Sequence, residues 1–247
     1  MRWLLGFFCV LAAMPVQAEQ INVAAASDLN FAIKEIIQQF EGATGHKVQL
    51  TLGSSGNFYA QIVNGAPFDV FLSADLNYAR QLEKAGRAMP GTTFIYGVGG
   101  IALWVPKTSK IKLEALGMRA LLEPSVRKIA IANPEFAPYG RAAVAAMQKA
   151  GVYDLVKSKL VLGENISQAA QFVQSGAADV GIIALSIAMS EPMQRTGTYW
   201  PVPRASYPPL EQGAVLLKRA GPAAKAFHER LRGVEARKIF AKYGLVR

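Results

Sequence analysis

Short apolar runs alternate with helix-spaced segments along the first third of this chain, and that alternation limits the fold more than any other feature. Leu50 to Asp75 (LTLGSSGNFYAQIVNGAPFDVFLSAD) shows it most clearly, reading as strand, turn, helix, turn, strand. Ahead of it, Ile21 to Ala26 (INVAAA) has the continuous apolar character of a buried strand. Phe31, Ile33, Ile36, Ile37 and Phe40 then recur at helical spacing, and Gly42 and Gly45 close that helix. Lys47 to Leu52 suits a half-buried strand, Asn57 to Asn64 a helix ended by Gly65-Ala66-Pro67, Asp69 to Ser73 a third strand and Leu76 to Ala85 a further helix. This order predicts an α/β fold whose parallel strands are joined by right-handed crossovers.

At Gly97-Val98-Gly99-Gly100 the pattern breaks, which marks a crossover into a second domain. Beyond it, strands are expected at Ile101 to Val105, Lys128 to Ala132, Val161-Leu162 and Ala178 to Ala184. Helices are expected at Leu113 to Leu122, Arg141 to Ala150 and Gln168 to Ser175. Tyr199 to Tyr207, interrupted by prolines, reads as the extended return crossover. A strand at Gly213 to Leu217 and helices at Ala223 to Arg232 and Glu235 to Tyr243 close the chain. Trp104 and Trp200 are expected to be buried near the crossovers. The domains predicted are thus a discontinuous first domain (residues 19–98 and 206–247) and a second one (residues 99–205).

The first eighteen residues form a different kind of segment. Arg2 supplies a minimal charged region, Trp3 to Met14 an apolar run, and Val16-Gln17-Ala18 small residues before Glu19. This is the pattern of a secretory signal peptide, too short to span a membrane as a helix. The one cysteine, Cys9, falls inside it, so the mature chain has no thiol for disulfides, catalysis or zinc. His46 and His228 lie far apart without ligand spacing, which argues against a metal site. The net charge of +10 falls by one to +9 when Arg2 leaves, and nine Lys/Arg between Lys218 and Arg247 carry much of the excess. In an exported protein such a face suits an anionic ligand or an anionic membrane, or is simply a solvated helix surface. No aromatic and basic residues interleave as a nucleic-acid platform requires.

Four turns share one chemistry: Ala26-Ser27-Asp28, Gly53-Ser54-Ser55-Gly56, Ala137-Pro138-Tyr139-Gly140 and Asn165-Ile166-Ser167. Each precedes a predicted helix, where unpaired backbone N–H groups and the partial positive end of the helix point outward. Two lie in each half of the chain, so two facing α/β domains would aim them into one cleft. The set suits a tetrahedral dianion held by neutral donors, with the Asp28 side chain turned away and only its backbone N–H contributing. Other readings fit the same residues. Ser27 and Ser167 also suit plain N-caps, Tyr139 a core aromatic, and Asp69, Asp75 and Asp179 turn or cap residues. Ser109-Lys110-Ile111-Lys112 and Ser125-Val126-Arg127-Lys128 match S-x-x-K, the pattern of a secreted Ser-Lys hydrolase, although two such matches arise easily by chance in a Lys-rich chain.

VAAASDL, GSSGNFYAQIVNGAPFDVFLSAD, IANPEFAPYGRAA and ARKIFAKYGLVR, spread over nearly all of the mature chain, carry a resemblance to periplasmic molybdate-binding proteins, the solute receptors of ABC-type importers. The resemblance implies a class II periplasmic binding-protein fold: two α/β domains with parallel-rich sheets, joined by two crossover segments, with the oxyanion in the cleft between them. It implies oxyanion contacts from Ser27, Ser55, Tyr139 and Ile166, with the backbone of Asp28 as a fifth. One branch of the family draws a tyrosine hydroxyl from the strand that here reads Gly181-Ile182-Ile183-Ala184, where Ala184 cannot supply it. Tyr139 matches the branch that carries the tyrosine in its own loop.

The expected function is therefore a non-enzymatic periplasmic receptor that captures molybdate, and tungstate, for a membrane permease. No cofactor is expected beyond that ligand, no side chain is expected to ligate the metal directly, no nucleic acid is expected as partner, and a monomer is expected. Sulfate, thiosulfate or phosphate is the alternative ligand, because sequence does not measure cavity size.

Overall fold

The computed structural model describes residues 18–246; the predicted signal peptide, with Arg2 and Cys9, lies outside the described residues apart from Ala18. Ten strands divide into two five-stranded sheets. The first takes β1 (Gln20–Ala26), β2 (Lys47–Gly53), β3 (Val70–Ser73), β4 (Phe94–Gly99) and β10 (Leu210–Leu216), in the spatial order β2-β1-β3-β10-β4. The second takes β5 (Ile101–Pro106), β6 (Ile129–Ala132), β7 (Leu160–Gly163), β8 (Val180–Ala184) and β9 (Gly197–Pro201), in the order β7-β6-β8-β5-β9. In each sheet one strand next to the edge pairs in parallel on both sides, β1 with β2 and β3, and β6 with β7 and β8. One strand in each, β10 or β5, runs antiparallel to both of its neighbours. The fold is the mixed α/β, parallel-rich arrangement expected.

Helices α1 (Asn30–Thr44), α2 (Ser55–Val63) and α3 (Leu76–Lys84) follow the first three strands. In the second half come α4 (Leu113–Leu116), α5 (Pro138–Lys149), α6 (Tyr153–Val156), α7 (Ile166–Gln174), α8 (Leu185–Ala188) and α9 (Glu191–Thr196), and α10 (Pro222–Arg232) and α11 (Val234–Lys242) close the chain. The period-2 alternation of β1 and β3 sends side chains to opposite faces. Ile21, Val23, Ala25, Val70 and Leu72 join the cluster with Ile33, Ile36, Phe227 and Phe240, on the α1, α10 and α11 side. Ala24 and Phe71 join Phe58, Ile62, Ala79 and Leu82, on the α2 and α3 side. Each large side chain buried this way contributes about 1.5–3 kcal/mol. Gly45, at φ 75°, ends α1 in the left-handed conformation that glycine adopts without strain, while Gly42 lies inside the helix rather than at its end.

Several expectations need correction. The glycine-rich stretch before Gly100 is not a break but β4, which pairs with β10, and only Gly100 separates it from β5. Tyr199 to Pro201 belongs to β9, an edge strand that pairs with β5, so the return connection is confined to residues 202–209. Pro201 is tolerated because it ends an edge strand. Trp104 is fully buried as expected, whereas Trp200, on that edge, is only half-buried. The segment expected to be one helix at Leu113 to Leu122 is a single α turn followed by a 3-10 stretch, with Gly117 at φ 51° between them.

Candidate functional site: a cavity between the sheets

The four turns singled out in the sequence meet in space. Ser27 and Asp28 open a short 3-10 turn after β1, Ser54 precedes α2 and Ser55 begins it, Pro138 and Tyr139 begin α5, and Ile166 begins α7. Together with Ala26, Gly53, Ala74 and Ala137 they line a small cavity of about 10 Å³ at the junction of the two sheets. Pockets for drug-sized molecules run to roughly 300–1,000 Å³, so this one is far too small for a metabolite. All five residues predicted to bind the oxyanion line it, and all five are buried.

Hydrogen bonds tie the walls together across the junction. Ser167 donates from Oγ to the Ser27 carbonyl (2.9 Å) and from its amide to Ser27 Oγ (3.3 Å), and Ser27 Oγ donates to Asn165 Oδ1 (3.1 Å). Ser186 Oγ donates to the Asp28 carbonyl (2.8 Å), and the Gly56 amide to the Phe136 carbonyl (2.9 Å). Nearer the surface, Arg141 on α5 pairs with Asp75 at 2.8 Å. Neither serine acts as a side-chain N-cap: Ala26 precedes the 3-10 turn, and Asn165 caps α7 by accepting from Ser167 and Gln168. Asp75 caps α3, while Asp69 accepts from the Asn22 amide and Asp179 from the amides of Arg127 and Lys128, in line with the turn and cap roles expected of them.

The hydroxyls differ in what they have left to offer. Ser55 Oγ accepts from the Ala74 amide (2.9 Å), which leaves its own proton free, and the buried Ser54 Oγ has no hydrogen-bond partner. The sequence reading chose Ser55 and passed over Ser54; the paired serine in the same turn was the available signal. Tyr139 is more committed. Its hydroxyl donates to Asp28 Oδ2 (2.8 Å) and accepts from Gln212 Nε2 (2.7 Å), which also donates to Asp28 Oδ2 (2.9 Å). A phenol has one proton, and here the carboxylate holds it. Ala184 carries no polar side chain into the junction, and the strand it ends is buried throughout.

The Asp28 side chain is fully buried among Tyr139, Gln212 and Tyr96. Burial drives its pKa up from 3.8 to about 6, against the opposing pull of the hydrogen bonds from Gln212 and Tyr139. The same burial, with the nearby Asp28 charge, raises the phenols of Tyr139 and Tyr96 well above their ordinary range. Gln212 on β10 was missed altogether; a glutamine entering an apolar strand was the clue, because a buried amide needs partners. Glycine is required beside this cluster. A Cβ on Gly99 would stand 2.4 Å from the Tyr139 hydroxyl oxygen and 2.6 Å from Gln212 Nε2.

Among the described residues no group of three or more His, Cys, Asp or Glu is placed to hold a metal ion. Ser125 and Lys128 are both exposed, and Ser109 Oγ accepts from the Ile111 amide; none of them lines the cavity.

Comparison with known proteins agrees with this architecture. The chain is 41% identical over 236 residues to the molybdate-binding protein ModA of Azotobacter vinelandii, covering 95% of this chain and 92% of that one. It is likewise 41% identical to the molybdate-binding protein ModA of Rhodobacter capsulatus, covering 95% and 91%. Its structure superposes on the Azotobacter vinelandii periplasmic molybdate-binding protein with a TM-score of 0.85 at 34% identity, covering 92% of this chain and 99% of that one. Residues 21–246 match the family described as bacterial extracellular solute-binding protein. The chain belongs to that family.

Proposed function

We propose that the protein is a periplasmic receptor that captures molybdate, and tungstate, and hands it to the permease of an ABC-type importer. The observation that carries this reading is the small cavity walled from both sheets by serine hydroxyls and helix starts, in a chain whose relatives are named for molybdate binding. An ion there meets the free protons of Ser54 and Ser55 and the first amides of α2, α5 and α7, where backbone N–H groups and helix dipoles favour negative charge. Neutral donors select by size and hydrogen-bond count, which distinguishes this site from an arginine clamp. Ser27, Ser55, Tyr139, Ile166 and the Asp28 backbone are the proposed contacts, and Ser54 joins them. The Tyr139 hydroxyl takes part only when its proton is released from Asp28. Binding closes the two halves of the molecule about the connections at Gly100 and residues 202–209. The role is that of a carrier and not of an enzyme, acting as a monomer outside the cytoplasmic membrane after removal of the signal peptide.

Titration calorimetry with molybdate, tungstate, sulfate and phosphate tests the reading. Tight binding of the first two with weak binding of the others is expected. Tight sulfate binding with no heat from molybdate would overturn the proposed selectivity.

A further inference from the structure

A carboxylate lining a cavity proposed to hold a dianion is an electrostatic conflict. Asp28 is buried at the junction, and the groups facing it from each packed element carry no positive charge. They are Tyr139 on α5, Tyr96 on β4, Gln212 on β10 and Ser186 on α8; α7 and α1, which also pack against this turn, begin with the uncharged Ile166, Ser167 and Asn30. Arg141, the basic side chain on the first turn of α5, is paired instead with Asp75. Both donors to Asp28 go to Oδ2, so its Oδ1 has no partner, and Gln212 Oε1 in the same cluster has none either. Two buried acceptors without a donor mark a cluster short of one proton.

We infer that oxyanion capture is coupled to uptake of one proton by the Asp28 carboxyl. The inference rests on the receptor reading above. The proton would sit on Oδ1, remove the like charge beside the ligand and leave a shell made only of neutral groups. A dianion in the cavity disfavours the ionised carboxyl further, so the bound state holds the proton to a higher pH than the ligand-free state does. The sign follows from linkage. Burial pushes the Asp28 pKa up to about 6 without a ligand, and a dianion beside it would move it further upward. Affinity therefore rises as pH falls through the bound-state pKa and levels off below the ligand-free one. The limiting slope for one coupled proton is about tenfold per pH unit.

The experiment is calorimetric titration of the whole protein with molybdate at about pH 6.5 to 7, in buffers of different ionisation enthalpy, alongside the affinity measured from about pH 6 to 8. The expected result is uptake of about half to one proton per ion bound, with affinity increasing toward the acid end. Asp28→Asn should bind with no proton uptake and an affinity that no longer varies with pH. Tight binding by the wild-type protein with no proton exchanged would overturn the inference while leaving the receptor reading intact. Absence of molybdate binding at every pH would instead overturn the receptor reading. If Asp28→Asn fails to fold, the proton count on the wild-type protein alone decides the matter.

Discussion

After β1 and β2 the chain presents Ser27, Ser54 and Ser55 to the cavity; after β6 and β7, which hold the equivalent places in the second sheet, it presents Tyr139 and Ile166. The strand orders of the two sheets are the same, and so are the positions of their turns. Only the chemistry differs. One wall offers hydroxyl protons, and the other offers backbone amides behind a phenol and an aliphatic side chain. Topology decides where the turns converge, and individual residues decide what converges there. The side that looks poorer in donors also supplies the hydroxyl that grips Asp28, so the second sheet contributes to holding the junction as well as to lining it.

The sharpest way to break this correspondence is to move one turn relative to its sheet. At Gly140 a Cβ would lie 2.1 Å from the Ala132 carbonyl oxygen, a backbone atom with no freedom to retreat. Gly140→Ala should therefore cost about 3 kcal/mol or more of stability, at or beyond the usual overpacking range, read by denaturant or thermal unfolding. Unchanged stability would mean that α5 tolerates displacement and that the second wall is less fixed than the first.

Substitutions within the walls sharpen the chemical contrast. Ser55→Ala should weaken oxyanion affinity by roughly 1–3 kcal/mol, the loss of a hydrogen bond to a charged group, with stability little changed. Tyr139→Phe should instead show in stability, by about 1.5–3 kcal/mol, because it strips a donor from a buried carboxylate. Calorimetry and thermal melts on both variants separate the roles; equal effects on affinity alone would make Tyr139 a direct ligand like Ser55.

The smallest effect is expected at the rim. Arg141 and Asp75 keep 40% and 25% of their side-chain surface in solvent, so Arg141→Ala should change stability by about 1 kcal/mol or less and lose even that in high salt. A larger loss would transfer the main tie between the halves from the buried cluster to the surface pair.

Much of the framework was legible in the residues. β1, β3, β6 and β8 are followed by turns and helices, and their burial on both faces gives each the continuous apolar run by which it can be recognised. β4 was hidden because Phe94–Gly99 is half-buried and carries two glycines, and β9 because an edge strand ending in proline looks like a linker. The turns of the site could be read because strand-turn-helix signals are local. The Asp28–Tyr139–Gln212 cluster could not, since its members lie 111 and 184 residues from Asp28 and meet only through tertiary packing. Fully buried His228 was set aside as a metal ligand on spacing alone; burial lowers its pKa, and its ring packs edge-on to Phe94 at 5.1 Å.

Among the described residues the chain passes between the sheets only twice, once through Gly100 and once through residues 202–209. A body fastened to another at two points behaves as a door on two hinges, with its remaining freedom a swing about the line through them. Two halves joined by one tether would have to search every relative orientation before Ser54 and Ser55 could face Ile166. With two tethers the search reduces largely to one angle.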